Sequence, residues 1–142
     1  MIYQRDTMAY DKPLPVIDNE SRPFWDGCRE GKLMLQHCAE CGAWVFYPRV
    51  LCTACDSERL EWEEASGEGV IHSFTICHRP AGPAFAGETP YVVALIDLKE
   101  GPRMMSNIVG ADPESVRIGQ SVRVTFEKAT EEVTLPKFKV IS

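Results

Sequence analysis

Four of the six cysteines fall into two tight pairs, Cys38-Ala39-Glu40-Cys41 and Cys52-Thr53-Ala54-Cys55, with ten residues between the inner two. Two such turns can place four thiolates at the corners of a tetrahedron around a zinc ion, each sulfur about 2.3 Å from the metal. Gly42 follows the first pair, where a metal knuckle needs positive φ, and Asp56 holds the equivalent place after the second. The stretches Leu33–His37 and Trp44–Tyr47 read as extended flanks, and the whole is the build of a zinc ribbon. Four thiolates fill the coordination sphere, so the expected zinc is structural, bound by Cys38, Cys41, Cys52 and Cys55. Iron on the same sulfurs is the alternative metal. Two disulfides would require an oxidising compartment, and a redox CxxC would require a βαβ context that the sequence lacks. The deaminase arrangement of His-x-Glu and Pro-Cys-x-x-Cys is also missing.

The remaining reactive side chains suggest no catalysis. Cys28 and Cys77 stand alone and read as small buried hydrophobes. Strict alternation over Gly69–His78 puts Val70, His72, Phe74 and Ile76 on one side and Ile71, Ser73, Thr75 and Cys77 on the other, so Cys77 points away from His72 and His78. Asp97 and Glu100 read as a strand end and its turn rather than as paired acid and base. There is no GxSxG, P-loop, GxGxxG or HExxH.

The elements that must position these residues fall into three zones. Residues 1–32 are an N-terminal arm with one short helix. Ser21 is its expected cap, Pro23 lies in its first turn and Gly31 ends it. That helix either packs its Phe24/Cys28 face on the body of the protein or offers Phe24 and Trp25 to a partner as anchors. Residues 33–60 are the zinc ribbon. Residues 61–142 read as five strands, at 69–78, 91–98, 103–109, 121–127 and 137–141, separated by Pro/Gly turn signals. Five short strands in that length suit a small closed barrel, because closure removes exposed sheet edges. The expected fold is therefore mainly β: an N-terminal helix, a zinc ribbon and a five-stranded OB-like barrel.

Composition narrows the function. The chain has 142 residues, 44% hydrophobic, with a formal net charge of −6, which is ordinary globular material of about one domain's size. No apolar run approaches the ~18 residues of a membrane span, and the start has no apolar signal core. Reduced thiols and a cytoplasmic location are the expectation. OB barrels and zinc ribbons also bind nucleic acids, which makes such a module the alternative function. A strand groove needs clustered Lys and Arg with stacking aromatics, and the barrel zone here has eight basic residues, scattered, against twelve acidic ones.

The order of helix, ribbon and barrel resembles the acyl-CoA-associated OB-fold/zinc-ribbon proteins, long catalogued as a family of unknown function. The resemblance runs over residues 20–142 and is carried by Leu33–Gly42, Tyr47-Pro48-Arg49, Gly69–Thr75, Pro90–Leu98 and Gly101–Gly110. It implies a non-catalytic accessory subunit of a thiolase-like enzyme or acyltransferase, such as a benzoylsuccinyl-CoA-type thiolase, a steroid side-chain aldolase or an enzyme of archaeal acetoacetyl-CoA synthesis. The reactive groups would then belong to a thiolase-fold catalytic partner, and acyl-CoA would be met through the complex. No contact with nucleic acid or membrane is expected. The residues expected to face the partner or CoA are Phe24, Trp25, Trp44, Phe46, Tyr47 and Phe85, the last in the long loop of residues 79–90. Arg49, Arg79 and Arg103, placed at strand or knuckle ends, are the basic residues that could help hold CoA phosphates.

Overall fold

The computed structural model describes residues 12–141. Helix α1 covers Arg22–Arg29, with Pro23 in its first turn. Ser21 stands at the cap position, but its side chain does not cap the helix. Its hydroxyl instead accepts the Asp18 N–H at 3.1 Å, while the Ser21 N–H donates to the Asp18 carboxylate at 2.9 Å. This local turn takes up the hydroxyl that the sequence assigned to the helix end. Gly31, at φ 78°, turns the chain out of the helix.

Strands β1 (Met34–Cys38), β2 (Trp44–Val45) and β3 (Leu60–Glu64) form a three-stranded antiparallel sheet in the order β2-β1-β3. The sequence reading did not single out β3. Its alternation of Leu60 and Trp62 with Glu61 and Glu63 is the signal that could have found it. Strands β4 (Glu68–Cys77), β5 (Tyr91–Leu98), β6 (Arg103–Ile108), β7 (Ser121–Lys128) and β8 (Thr134–Val140) close a barrel in the order β4-β5-β6-β8-β7. This is the five-stranded OB-type architecture expected.

Two details differ from the alternation read in the sequence. The register of β4 against β5 shifts between Ile71 and Ser73, so His72 sits in a β-bulge. One extra residue flips every side chain beyond it to the other face. Ile71, Phe74 and Ile76 accordingly turn inward together, while Val70 and His72 are exposed. Strand β8 also begins three residues earlier than expected and includes Pro136. The Pro136 carbonyl accepts a hydrogen bond from the Ser106 hydroxyl of β6 at 2.7 Å, so the missing N–H would have pointed at the same seam. There β6 and β8 pair only at Ile108 and Phe138, and the absent donor interrupts no ladder.

Helix α1, β1 and the barrel share one core. Phe24, Cys28, Leu33 and Leu35 pack in a single apolar cluster with Ile71, Ile96, Val122 and Phe138. A second, smaller cluster of Cys38, Val45 and Cys52 lies beside the metal knuckles.

Candidate functional site: a four-cysteine centre and an aromatic cleft

The two CxxC turns fold as near copies of one another. In the first, the Gly42 N–H donates to the Cys38 carbonyl at 3.0 Å and the Cys38 N–H to the Ala43 carbonyl at 2.8 Å. In the second, Asp56 N–H reaches the Cys52 carbonyl and Cys52 N–H the Ser57 carbonyl, both at 2.9 Å. Gly42 at φ 80° and Asp56 at φ 62° take the positive angle expected of them. Asp56 is the one non-glycine residue to do so among those described.

The four Sγ atoms lie within 4.8 Å of one another. Cys38 approaches Cys55 at 3.7 Å and Cys41 approaches Cys52 at 3.6 Å. Edge lengths near this value are those of a tetrahedron whose centre is about 2.3 Å from each sulfur. Backbone donors already point at the sulfurs, Cys41 N–H to Cys38 at 3.5 Å and Ala54 N–H to Cys52 at 3.3 Å. The Cys41 N–H holds the Cys38 thiol down to about 6. At Cys55 the Ser57 N–H also favours the thiolate, but desolvation and the neighbouring sulfurs outweigh it and push that thiol up to about 12. Four sulfurs this close cannot all carry charge unless a cation sits among them. The donor set fits a structural zinc ion, with no position left for substrate.

His37 is a brace for this centre rather than a ligand. Its ring stacks on Trp44 with centroids 4.4 Å apart. One ring nitrogen meets the Glu63 carboxylate of β3 at 2.5 Å and the other the Gly42 carbonyl at 3.1 Å. A buried Gln36 on the next position donates to the Arg49 carbonyl at 2.8 Å and accepts the Arg49 N–H at 2.7 Å. This clamp fastens the segment before the second knuckle to β1. A polar residue directly after the apolar stretch Leu33–Leu35 was the available signal for it, and the sequence reading passed over it.

Five of the aromatic residues singled out in the sequence meet around one cleft of about 340 Å³ between α1, the ribbon and the β6–β8 seam. Phe24 and Trp25 form its floor, at 1% and 6% exposure. Of the two readings of the helix, the structure takes the packed one, and neither ring is a surface anchor. Phe24 meets Trp25, Phe46 and Tyr47 edge-on, with centroids 4.8, 5.6 and 5.8 Å away. The Trp25 indole N–H donates to the Tyr47 hydroxyl at 2.9 Å. Across the mouth stands Phe85, carried by a short 3-10 turn at Pro83–Glu88. Its ring lies 5.9 Å from that of Tyr91. Met104, Met105 and Lys137 complete the barrel side, and Lys12, paired with Glu88, stands at the rim.

The other candidates lie outside the cleft and apart from one another. Trp44 is taken up by His37. Arg49 engages Gln36 through its backbone, with the side chain exposed. Arg79 lies exposed just beyond the end of β4, whereas Arg103 opens β6 at the barrel's other end and binds Asp97 at 2.6 Å. The three arginines do not converge on one phosphate site.

The bulge corrects the relation of Cys77 to His72. Both turn to the outer surface, because the extra residue brings Ser73, Thr75 and Cys77 round to that side. They remain far apart. His72 meets Asp97 at 3.2 Å, while Cys77 pairs with Tyr91. Those partners are six positions apart along β5, about 20 Å of strand. Cys28 is buried, and burial pushes its thiol up to about 12. Neither thiol forms a nucleophile–base pair among the described residues.

Comparison with known proteins finds a zinc ribbon domain followed by an OB-fold domain. Residues 25–61 match the ChsH2 rubredoxin-like zinc ribbon domain, and residues 62–127 the ChsH2 C-terminal OB-fold domain. A DUF35 domain-containing scaffold protein of Methanothermobacter thermautotrophicus is 41% identical over 96 residues, 67% of this chain and 71% of that protein. A protein of Thermomonospora curvata named as a probable enoyl-CoA hydratase alpha subunit is 36% identical over 128 residues. That match takes in 90% of this chain, which spans only 40% of the longer protein. Among solved structures, a chain of an Ltp2-ChsH2(DUF35) aldolase superposes with TM-score 0.80 at 35% identity, covering 89% of this chain and 98% of that one.

Proposed function

Because the chain belongs to the DUF35 family, a ChsH2-type zinc ribbon joined to an OB-fold domain, we propose that it is an accessory subunit of an acyl-CoA enzyme complex. The reacting groups come from a partner subunit, and this chain is not catalytic. The observation that carries the reading is the contrast between its two sites. The four-cysteine centre leaves a bound metal no open position, and among the described residues the aromatic cleft holds no nucleophile–base pair. What the molecule offers is shape: ribbon and barrel fused through a single core, with an apolar mouth between them.

A thiolase-like catalytic subunit is the partner proposed, following the family resemblance in the sequence. Relatives' names add hydratase and aldolase as partner chemistries. Tyr47 on the ribbon side and Phe85 on the loop side face that partner and border its substrate channel. CoA is met mainly through the assembled complex, since the three arginines are dispersed.

Purification of the tagged, zinc-loaded chain from its native cells tests this reading. A co-purifying acyl-CoA enzyme of the thiolase type is expected, with turnover in the complex and none in the isolated chain. Cys77→Ala should leave that turnover within about twofold. Turnover by the isolated chain, or its collapse in an intact Cys77→Ala complex, would overturn the non-catalytic assignment. A hydratase or aldolase in place of a thiolase would correct the partner alone.

A further inference from the structure

Hydrogen bonding and charge inside the aromatic cleft select what it can hold. On its barrel side the Ser106 hydroxyl donates to the Pro136 carbonyl at 2.7 Å and the Asn107 amide to the Val92 carbonyl at 2.9 Å. On the helix side the Trp25 indole spends its N–H on the Tyr47 oxygen at 2.9 Å, and an indole has no second donor. Tyr47 is different. Because its oxygen accepts, its own proton remains to be given, and no acceptor for it stands among the described residues. The cations of the cleft are each balanced by a carboxylate: Lys12 meets Glu88, and Lys137 meets Glu127 at 3.4 Å. An entering anion would find no uncompensated positive charge there, in a chain of net −6. The lining therefore favours an uncharged ligand with one hydrogen-bond acceptor.

Around that donor the walls are rings and thioethers. Phe24 is locked edge-on against Trp25, Phe46 and Tyr47, which fixes the floor. Phe85 stands half-buried across the mouth, and Met104 and Met105 close the barrel side. Aromatic edges and thioether sulfurs attract another ring beyond what buried area alone supplies. A flexible alkyl chain gains only the area and loses rotamer freedom. The volume of about 340 Å³ lies at the lower end of the range for small-molecule sites, about 300–1,000 Å³.

We propose that the cleft binds a neutral, ring-bearing carbonyl compound, with its ring between Phe24 and Phe85 and its carbonyl oxygen accepting the Tyr47 O–H. On the accessory-subunit reading, on which this step alone rests, that compound is the acyl end of the partner's thioester substrate. A thioester carbonyl is an uncharged acceptor, whereas the free acid is an anion at neutral pH. The site thus takes the thioester in preference to the acid that its hydrolysis would give.

The full zinc-loaded chain is titrated with acetophenone, 2-octanone, benzoate and ethylbenzene, and the Met104 and Met105 methyl signals are followed by NMR. Acetophenone should shift both methyls saturably. It should bind at least about fivefold tighter than 2-octanone, which has as many carbons but no ring, and than benzoate, which is charged. Tyr47→Phe should weaken acetophenone by about three- to tenfold, as loss of one hydrogen bond does. The same variant should leave ethylbenzene, which has no acceptor, within about twofold. Thermal midpoints and zinc content confirm that the variant is folded. Absence of a saturable shift, equal binding of 2-octanone or benzoate, or equal weakening of ethylbenzene by Tyr47→Phe would each overturn the proposal. Loss of acetophenone binding when a co-purifying catalytic subunit assembles would give the cleft to that subunit's side chains and overturn it too. Binding as expected by a chain with which no acyl-CoA enzyme co-purifies would sustain the site and overturn the accessory-subunit reading alone.

Discussion

The ribbon and the barrel are both built from short strands, yet different forces hold them. Around the metal knuckles the buried residues are Cys38, Val45 and Cys52, with Ala43 and Leu60 half-covered beside them. The strand β2 is two residues long. So small an apolar cluster cannot offset the chain entropy of ordering two loops. In the barrel, by contrast, Ile96, Val122 and Phe138 are completely enclosed, and each strand is hydrogen-bonded on both sides around the closed sheet. One half depends on coordination bonds and the other on packing, and substitutions should separate the two.

The largest effect should come from the metal ligands. Structural zinc contributes about 10–16 kcal/mol of apparent binding energy in small ribbon-like sites, far more than a typical domain's margin of stability. Cys52→Ser is expected to lose the metal and disorder the knuckles, while the barrel keeps its sheet signal. Metal analysis with backbone amide spectra would show both outcomes, and retention of one zinc per chain by the variant would break the comparison. The reciprocal experiment is Phe138→Ala. Truncating this enclosed ring should cost about 3–5 kcal/mol of global stability without releasing zinc before the unfolding transition. Denaturant titration followed by parallel zinc-release measurements would check it.

The same contrast decides what could be read in the sequence. Metal knuckles follow a fixed local grammar, so Cys38, Cys41, Cys52 and Cys55, with Gly42 and Asp56, could be placed from spacing alone. Strand alternation likewise identified five barrel strands, because period two survives wherever one face is buried. The bulge at His72 was hidden, since nothing in Val70–Phe74 marks an unpaired residue and only the closing of β4 against β5 and β7 requires it. The early start of β8 was hidden for a different reason: a proline such as Pro136 ordinarily argues against a strand, but the seam it faces had no ladder to interrupt. The cleft was half legible. Its aromatics stood out as types, whereas their meeting depends on α1 lying against the β6–β8 seam, a long-range packing fact with no local signature.

The smallest expected effect belongs to the surface of the barrel, where charge rather than packing or metal is at work. Arg103 donates to Asp97 and, with His72, holds its carboxyl below the ordinary aspartate value. A depressed folded value means that the unfolded chain binds protons more readily than the folded one as the solution is acidified. The contribution is therefore fully present above the ordinary aspartate range and is lost as the pH falls through the depressed folded value. Removing the guanidinium by Arg103→Gln should bring the Asp97 titration back toward ordinary and flatten the acid-side decline in thermal midpoint. Side-chain carboxyl NMR between about pH 2 and 5 follows the group directly. The zinc content must be tracked in parallel, because acid also protonates the cysteine ligands and removes the metal. An unchanged Asp97 titration in Arg103→Gln would show that His72 alone sustains the shift. That outcome would move the partner that holds the Asp97 carboxylate from Arg103 of β6 to His72 in the bulge of β4.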